Sequence, residues 1–261
     1  MRTAIIIPAR YGSTRFPGKP LALLKGKPIL QHVVDLCRKA IDGLDNVSVH
    51  VATDDQRIAE FAKTIGVSAI MTDESCKTGS DRARAAAATL PQKPDFILNV
   101  QGDAPLTPPD VVRQLIISAQ AGEVKDIVTP AVQLGWNDLD IFRERKTETP
   151  FSGTTVVFDN ENRAMWFSKQ VLPAIRGEDK LRGSEALSPV FRHIGLYGYM
   201  AHALDSFCET EETQYERLEG LEQLRALEAG LHIRVVPVAV NLAFLSGIDT
   251  QADLANAERY L

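Results

Sequence analysis

The segment PARYGSTRFPGKP, residues 8–20, concentrates cations in a stretch with few side chains that could build a core. Arg10, Arg15 and Lys19 fall within ten residues, and the small residues between them are Gly12, Ser13 and Gly18. Small residues let backbone N–H groups approach an anion, and cations held in one loop repel each other unless negative charge lies between them. The loop therefore predicts a binding site for a phosphate or polyphosphate.

This loop matches neither of the common phosphate-binding fingerprints. The GxxxxGK[ST] and GxGxxG spacings are both absent. For any single arginine, a solvated surface loop would be the ordinary interpretation. The clustering of three cations directly after the apolar run TAIII favours a ligand site.

Two carboxylates at strand ends could hold a cation beside this loop. Asp103 follows the apolar run DFILNV in NVQGDAPL, and Asp249 lies in SGIDTQADL before a helix-like segment. Carboxylates at such positions hold Mg²⁺ in nucleotide sites. Asp103 could instead be an ordinary turn residue, and either Asp249 or Thr250 could be a helix cap.

Two further loops have a composition suited to a nucleotide. The segment VATDD, which contains Asp54, closes a strand-like run and could bind a base or ribose. The segment CKTGSDR opens a helix with Thr78 and Gly79, and its Arg82 could reach phosphates.

The elements that must position these loops alternate along the first half of the chain. Short apolar runs such as VSVHVAT alternate with amphipathic stretches such as PILQHVVDLCRKA. This alternation predicts an α/β fold, with a parallel sheet covered by helices on both faces. In such sheets, ligands bind outside the carboxyl ends of the strands, which is where these loops lie.

The pattern changes after about residue 126. Strand-like runs on either side of DNEN, residues 159–162, predict a hairpin, and residues 172–189 are expected to form an irregular surface segment. An apolar stripe predicts a helix that ends at Gly230, and its residues are Leu218, Leu221, Leu224 and Leu227. We expect one domain, residues 1–261, with an inserted antiparallel lobe at about 135–205.

Bulk composition excludes several classes of protein. The 261 residues are 44% hydrophobic, and the net charge of -5 argues against a general nucleic-acid-binding surface. Cys37, Cys76 and Cys208 show no metal-site spacing and are expected to be reduced thiols. No signal-like or membrane-spanning run is visible, which favours a cytoplasmic protein without a membrane partner.

Seven segments, in this order, carry a specific resemblance. IIIPARYGSTRFPGKPL, HVATDD, KTGSDR, NVQGDAPL, HIGLYGY, LEQLRAL and GIDTQADL span almost the whole chain. Together they resemble the sugar-acid cytidylyltransferases, and most closely the 3-deoxy-manno-octulosonate (Kdo) cytidylyltransferase family. The resemblance implies a Rossmann-like nucleotide-diphospho-sugar transferase fold with a small antiparallel lobe, and it implies a homodimer.

The resemblance also implies a reaction. The anomeric hydroxyl of a 3-deoxy-ulosonic acid attacks the α-phosphate of CTP, and pyrophosphate leaves, which activates a sugar for lipopolysaccharide or capsule. Mg²⁺ is the implied cofactor, bound by Asp103 and Asp249, and Arg15 and Lys19 are implied to act in catalysis. The implied nucleotide-binding residues are Ala9, Arg10, Ser13, Arg15, Lys19, Asp54, Thr78, Gly79, Arg82 and Gln101.

For the sugar acid, the resemblance points to a second set of residues, which are Lys169, His193, Tyr197, Glu222 and Gln223. Taken alone, His193 on an apolar strand would be a satisfied core histidine. Glu222 would be a solvated helix residue, because it lies on the helix face away from the leucine stripe. Gln223 falls only ~40° from Leu227 on a helical wheel, at the edge of that stripe.

Three departures from the family pattern affect the sugar more than the nucleotide. The family usually has a glutamate where this chain has Ala104 and an arginine where it has Lys169. It also has a lysine-containing run where this chain has SGTT, residues 152–155, which ends in Thr155. Lysine cannot form the planar fork by which arginine binds a carboxylate. The acceptor could therefore be Kdo, a variant such as an 8-amino or shorter diacid relative, or a nine-carbon neuraminate-type acid. A nucleotide-binding regulator without turnover is the alternative from a different class.

Overall fold

The apolar runs of the sequence form one mixed sheet in the computed structural model, which describes residues 1–12, 16–242 and 247–260. β-branched and aromatic residues are frequent in these runs and suit a pleated, buried backbone. In chain order the strands are β1 (Thr3–Pro8), β2 (Leu23–Leu24), β3 (Lys27–Pro28), β4 (Val47–Thr53), β5 (Ser68–Met71), β6 (Phe96–Asn99), β7 (Ile127–Gly135), β8 (Thr155–Phe158), β9 (Ala164–Ser168), β10 (Leu187–His193), β11 (Tyr197–Met200) and β12 (Ile233–Pro237).

Helices connect most of these strands. In chain order they are α1 (Ile29–Ala40), α2 (Gln56–Thr64), α3 (Gly79–Thr89), α4 (Pro109–Gln120), α5 (Trp136–Glu148), α6 (Glu178–Ser184), α7 (Ala201–Glu209), α8 (Gln214–Glu219), α9 (Glu222–Glu228) and α10 (Gln251–Ala257). A 3₁₀ turn at Lys19–Leu21 follows the opening loop, and β2 and β3 form a separate small hairpin after it.

The first half of the sheet is parallel. Its strands lie in the order β5, β4, β1, β6, so β1 has a parallel neighbour on each side. Parallel strands end at the same edge of a sheet, and Pro8, Thr53 and Asn99 therefore end their strands close together. The loops singled out in the sequence follow these three positions.

The second half of the sheet is mainly antiparallel, and it divides. Strands β10 and β11 follow one another along the same side of β7, with His193 opposite Ala131 and Gly198 opposite Val128. Strand β6 flanks β11, whereas β8 and β9 extend outward from β10, and β12 runs parallel to β7. The division falls at residues 194–196, beside the carboxyl end of β6.

Helices cover both faces of the sheet, as the alternation predicted. Along β1, Ile5 and Ile7 pack with residues of α1, α2 and α4, while Ala4 and Ile6 pack with residues of α3, α7 and α9. Each fully buried isoleucine contributes about 1.5–3 kcal/mol through the hydrophobic effect. The predicted α/β fold is confirmed, and so is the β8–β9 hairpin. The inserted lobe at 135–205 stays a prediction.

Two local expectations differ from the structure. The leucine stripe is not one helix, because Gly220 adopts a left-handed conformation with φ of 63° and separates α8 from α9. Leu218 is consequently 64% exposed, although Leu221 and Leu224 are buried. Residues 172–189 are not wholly irregular, since they include α6. This helix buries none of its residues, so its sequence has no apolar pattern that would predict a helix. Within the described ranges, no helix is both long and apolar enough to span a membrane.

Gly198 allows β11 to pass between two large side chains. A Cβ atom at this position would lie 2.2 Å from Cζ of Phe96 and 2.9 Å from Cγ1 of Val128. We therefore expect Gly198→Ala to lower the free energy of unfolding by about 1–3 kcal/mol, because the buried neighbours have no room to move. Urea denaturation measures this change. Gly195→Ala is the matched control, since no atom lies within 4 Å of its added Cβ; equal loss in both variants would contradict the prediction.

Candidate active site

A cavity of about 460 Å³ opens at the carboxyl edge of the parallel strands. It lies where β1 and β6 end and where α3 begins, as expected for a doubly wound sheet. The residues that line it are Pro8, Ala9, Arg10, Gly12, Lys19, Pro20, Cys76, Lys77, Thr78, Gly79, Arg82, Gln101, Gly102, Asp103, Glu222 and Asp249.

Lys19 joins the two predicted carboxylates. Its Nζ donates to Oδ2 of Asp103 at 2.6 Å and to Oδ1 of Asp249 at 3.2 Å. Lys19 begins a 3₁₀ turn directly after Gly18, whose φ of 72° is in the left-handed region that favours glycine. Thr250 is the N-cap of α10, so capping this helix does not engage the side chain of Asp249. The opening loop, the end of β6 and the start of α10 thus meet at one ammonium group.

The donor set at this point suits a magnesium ion. Two carboxylates from distant parts of the chain approach one positive charge. Mg²⁺ characteristically binds one or two carboxylates, and water and substrate phosphates complete its coordination shell. Within the described ranges, no cluster of three or more His, Cys, Asp or Glu side chains is arranged to hold a metal. Asp103 and Asp249 therefore fit an ion that arrives with, or is completed by, a phosphate ligand.

Arg82 is almost fully buried in the cavity wall and has a matched partner. Its Nη2 donates to Oδ2 of Asp54 at 2.6 Å, and its Nη1 donates to Oγ1 of Thr72 at 2.5 Å. The arginine side chain is only 3% exposed, so removal of Asp54 would leave a buried cation unpaired. This pair fixes α3 against the ends of β4 and β5, and it brings the VATDD loop to the edge of the cavity.

The amino terminus of α3 faces the cavity. Thr78 caps this helix in a capping box with Asp81, and Gly79 forms the first helical position. A Cβ at Gly79 would lie 3.3 Å from the amide of Gln101, and one at Gly102 would lie 2.6 Å from the carbonyl oxygen of Pro8. These close approaches bring backbone into the cavity wall, and the helix dipole adds positive potential for an anion.

Cys76 and Glu222 also line the cavity. Burial raises the pKa of the Cys76 thiol, so it stays protonated near neutral pH and is a poor nucleophile. Partial burial in the wall likewise raises the pKa of Glu222. The Glu222 side chain is nevertheless exposed on α9, as its helical position indicated, and it forms part of the cavity wall.

A row of aromatic rings leads away from the cavity along the division of the sheet. The His193 ring lies 5.0 Å from that of Phe167 and 5.3 Å from that of Tyr197, and Tyr197 lies 6.1 Å from Tyr199. The hydroxyl of Tyr199 is 3.4 Å from Oγ of Ser80, in the first turn of α3. The predicted sugar-binding strand residues thus connect to the predicted nucleotide site through packed rings.

His193 is buried and neutral. Its Nε2 lies 2.8 Å from Oγ1 of Thr129, and that hydroxyl donates its single proton to main-chain carbonyls, with the Leu196 oxygen at 2.8 Å. Because the hydroxyl proton is engaged, Nε2 must carry the imidazole proton and Nδ1 is an acceptor. Burial, with a smaller contribution from the charge of Lys169, lowers the pKa of His193 to about 3.

The main chain of Lys169 is fixed by two opposite charges. Its N–H donates to Oε2 of Glu219 at 2.7 Å, and its carbonyl accepts from Nζ of Lys146 at 2.5 Å. The side-chain ammonium of Lys169 donates to Oγ1 of Thr154 at 3.2 Å. Burial lowers the pKa of both lysines, so this region carries desolvated positive charge.

Most of the predicted nucleotide and metal residues line this cavity. Asp54 contacts it through Arg82, while Ser13 and Arg15 lie outside the described residues. The sugar-site predictions form the adjoining group, with Gln223 buried and its Nε2 without a partner among the described residues. Thr155 donates to the Gln170 carbonyl at 2.6 Å and thereby holds the end of the β8–β9 hairpin.

Several residues of this region gave no signal in the sequence. Thr129, Lys146 and Glu219 act through contacts with residues distant in the sequence and belong to no motif. Gly102 and Lys77, by contrast, stand inside the quoted segments NVQGDAPL and CKTGSDR. Close backbone approach at the glycine could have been anticipated from its place at a strand end.

Comparison with known proteins gives consistent matches over the whole chain. Residues 4–233 match the family model described as cytidylyltransferase. The chain is 44% identical over 236 residues to 3-deoxy-manno-octulosonate cytidylyltransferase of Maricaulis maris, covering 90% of this chain and 88% of the relative. It is 38% identical to 8-amino-3,8-dideoxy-manno-octulosonate cytidylyltransferase of Shewanella pealeana, covering 100% and 99%. A solved CMP:2-keto-3-deoxy-manno-octonic acid synthetase complexed with CTP superposes with a TM-score of 0.84 at 31% identity, covering 100% and 98%.

The low pKa of His193 predicts a pH dependence of stability. Unfolding returns the imidazole to an ordinary pKa near 6.5, so below that pH the unfolded state binds a proton that the folded state does not. This residue should lower the free energy of unfolding by up to about 1.4 kcal/mol per pH unit as the pH falls from 6.5 towards 3. His193→Gln removes the titrating group, so its unfolding free energy should fall less steeply between pH 7 and 5. Identical slopes for variant and wild type in urea denaturation would disprove the assignment.

Proposed function

The chain belongs to the cytidylyltransferase family and is a nucleotidyltransferase that uses CTP, and on that premise we propose that its acceptor is an eight-carbon 3-deoxy-ulosonic acid. The products are then a CMP-sugar acid and pyrophosphate. The observation that carries this proposal is the meeting of Lys19, Asp103 and Asp249 in a cavity that the aromatic row links, through His193, to the half-buried Lys169. The acid group of the sugar would add a negative charge near Lys169, beside that of the Glu219 carboxylate.

Displacement at the α-phosphate depends on positioning and charge neutralisation more than on covalent chemistry. Arg10 and Lys19 line the cavity and are proposed to neutralise the triphosphate, as is Arg15. The amino terminus of α3 adds positive potential from the opposite wall. The proposed step is direct attack by the sugar hydroxyl on the α-phosphate.

Asp103 and Asp249 would hold Mg²⁺ in this proposal. When bound, the ion would neutralise phosphate charge and lower the pKa of the attacking sugar hydroxyl. Lys19 now occupies the space between these carboxylates, so its ammonium would turn towards the phosphates as the ion is held. The protein's own part is to keep two carboxylates and one ammonium within reach of the same phosphate.

The cytidine is assigned to the wall formed by three loops. Gln101 and the backbone at Thr78 and Gly79 lie together there, and Asp54 reaches the same region through Arg82. Amide and backbone groups can hydrogen-bond the exocyclic amine, the carbonyl and ring nitrogen of a cytosine. The matched Arg82–Asp54 pair supports these loops in one arrangement.

The sugar acid is assigned to the residues along the division of the sheet. Lys169 and Thr154 would bind the carboxylate, Nδ1 of His193 would accept from a hydroxyl, and Nε2 of Gln223 would gain the acceptor it lacks. Tyr197 provides an apolar wall beside His193. Glu222, which lines the nucleotide cavity from α9, stands between the two subsites.

Kdo and its 8-amino relative both fit this proposal, and relatives named for each substrate are similarly close. Lys169 replaces the usual arginine, and this replacement changes how the acid group of the sugar is held. For this reason, a variant acid stays a candidate acceptor alongside Kdo. A nine-carbon neuraminate-type acid is the second candidate acceptor.

The expected homodimer and location remain part of the proposal. Exposed apolar side chains stand on β9, β10 and α8, namely Met165, Leu187, Tyr215 and Leu218, and such side chains support a symmetric contact between copies. All three cysteines are free, which agrees with a reducing cytoplasm. A role in lipopolysaccharide or capsule formation follows from the proposed product.

The role of Asp103 can be tested by removing one negative charge. Asp103→Asn should lower Mg²⁺-dependent pyrophosphate release from CTP and a sugar acid by at least about a hundredfold, because one metal-binding carboxylate is lost. The fold should persist, since the main-chain carbonyl of Asp103 still accepts from the N–H of Ile248. Asp110→Asn, at an exposed position in the first turn of α4, is the control. Unchanged turnover by Asp103→Asn would remove the proposed metal site.

The sugar subsite can be tested separately from the nucleotide site. Lys169→Met should raise the KM for the sugar acid by about tenfold or more while the KM for CTP stays the same, because a charge-assisted hydrogen bond to the acid is lost. Lys180→Met, on exposed α6, is the matched control. A rise in the KM for CTP alone would place Lys169 in the nucleotide site instead.

The same assay with a panel of acids addresses the acceptor. With CTP and Mg²⁺, kcat/KM should be higher for Kdo or its 8-amino relative than for N-acetylneuraminate. The opposite order would overturn the proposed acceptor class, and faster turnover of Kdo than of every variant acid would reject the variant-acid hypothesis.

A further inference from the structure

A stack of charged and aromatic side chains lies outside the cavity, on the far side of the opening loop. The guanidinium carbon of Arg57 is 3.4 Å from the centroid of the Tyr11 ring. Arg57 also forms a two-point ion pair with Asp55, from Nε to Oδ1 at 3.0 Å and from Nη2 to Oδ2 at 2.6 Å. Asp55 is the N-cap of α2, so the guanidinium is anchored to the start of a helix.

The hydroxyl end of the Tyr11 ring lies close to Gly18. A Cβ atom on Gly18 would lie 3.0 Å from both Cζ and Oη of Tyr11. The Gly18 N–H also donates to the Tyr11 carbonyl at 2.9 Å, which joins the two ends of the loop. The contacts therefore run from α2 through Arg57 and Tyr11 to Gly18, and the next residue is Lys19.

Neither Tyr11 nor Arg57 lines the cavity, whereas Arg10, Gly12 and Lys19 do. Arg10, Gly12 and Lys19 thus face the proposed triphosphate site. The stack itself lies behind them. An effect of Arg57 or Tyr11 on CTP must therefore act through the backbone of the loop.

We propose that Arg57 and Tyr11 are positioning residues that hold the opening loop so that Arg10 and Lys19 face the triphosphate; this inference rests on the proposed use of CTP. Arg10 and Lys19 both line the cavity, and Lys19 is already paired with Asp103 and Asp249 before an anion is bound. A loop that is already held in its binding conformation loses less conformational entropy when the anion arrives. The stack supplies that preorganisation from a rigid helix terminus.

The stack should matter more for ligand binding than for folding. Arg57 is 58% exposed, and exposed ion pairs contribute little to the stability of a folded protein. Tyr11 packs only at the margin of the main core cluster. Replacement of Arg57 should therefore leave a folded enzyme whose affinity for CTP can be measured.

The test is calorimetric titration of CTP into the Mg²⁺-loaded full-length enzyme, together with steady-state kinetics. Arg57→Ala and Tyr11→Leu should each weaken CTP binding about tenfold, with the KM for the sugar acid and the melting temperature nearly unchanged. Tyr11→Phe keeps the ring and should bind CTP as wild type does. Because the two residues act as one unit, the double variant should bind no more weakly than either single variant.

Two controls separate positioning from simple charge attraction. Arg163→Ala removes an equally exposed arginine that pairs with Asp159 in the β8–β9 hairpin, and it should leave CTP affinity unchanged. Arg57→Lys keeps the charge but loses the planar fork, so it should restore only part of the affinity. Full wild-type affinity in Arg57→Lys would overturn the proposal in favour of charge alone.

The remaining outcomes are also decisive. Wild-type CTP affinity in Arg57→Ala, with binding by the wild-type enzyme intact, would overturn the positioning role and leave the proposed function standing. Additive losses in the double variant would show that Arg57 and Tyr11 act independently and would also overturn it. A wild-type enzyme that does not bind CTP would overturn the proposed function and the inference together.

Discussion

The contact of Lys19 with Asp103 and Asp249 is the interaction on which the rest of the site depends. It joins residues separated by 84 and 230 positions in the sequence, at distances of 2.6 and 3.2 Å. Two carboxylates this close repel each other unless a cation lies between them. The fold can therefore bring the end of β6 and the start of α10 together only beside a positive charge. In the proposed reaction, the same arrangement would supply a cation for the phosphates and carboxylates for a metal.

The division of the sheet lies where we propose that the second substrate binds. Strands β10 and β11 share one side of β7, but their outer neighbours differ, so the sheet opens at residues 194–196. Tyr197 pairs with Asn99, only a few residues before Asp103, so the opening lies next to the nucleotide cavity. The aromatic row through His193 keeps this part of the site apolar, and the imidazole stays neutral there. A sugar bound there would have polar groups at defined positions within an otherwise apolar wall.

The charges on the two sides of the site are balanced differently. The buried guanidinium of Arg82 has its own carboxylate in Asp54, so it supports the nucleotide loops without needing a ligand. The ammonium of Lys169 donates to the hydroxyl of Thr154, and burial lowers its pKa. A half-buried cation bonded to a hydroxyl gains more from an incoming anion than a cation already paired with an acid. On this contrast, the proposal gives Arg82 and the Arg57–Tyr11 stack a supporting role and makes Lys169 available to a substrate.

The sequence by itself determined the α/β alternation, the loops at the strand ends and, with the family resemblance, most of the residues that line the cavity. These features are encoded locally, because hydrophobic periodicity and the steric demands of glycine and proline act over a few residues. The helix break at Gly220 could not be predicted in this way, because the leucine spacing continues across it. Only the tertiary structure decided that Lys19 joins the two carboxylates, that Lys146 and Glu219 hold Lys169, and that Thr129 fixes the tautomer of His193. Such contacts depend on distances between segments far apart in the chain, and a single sequence carries no measure of those distances.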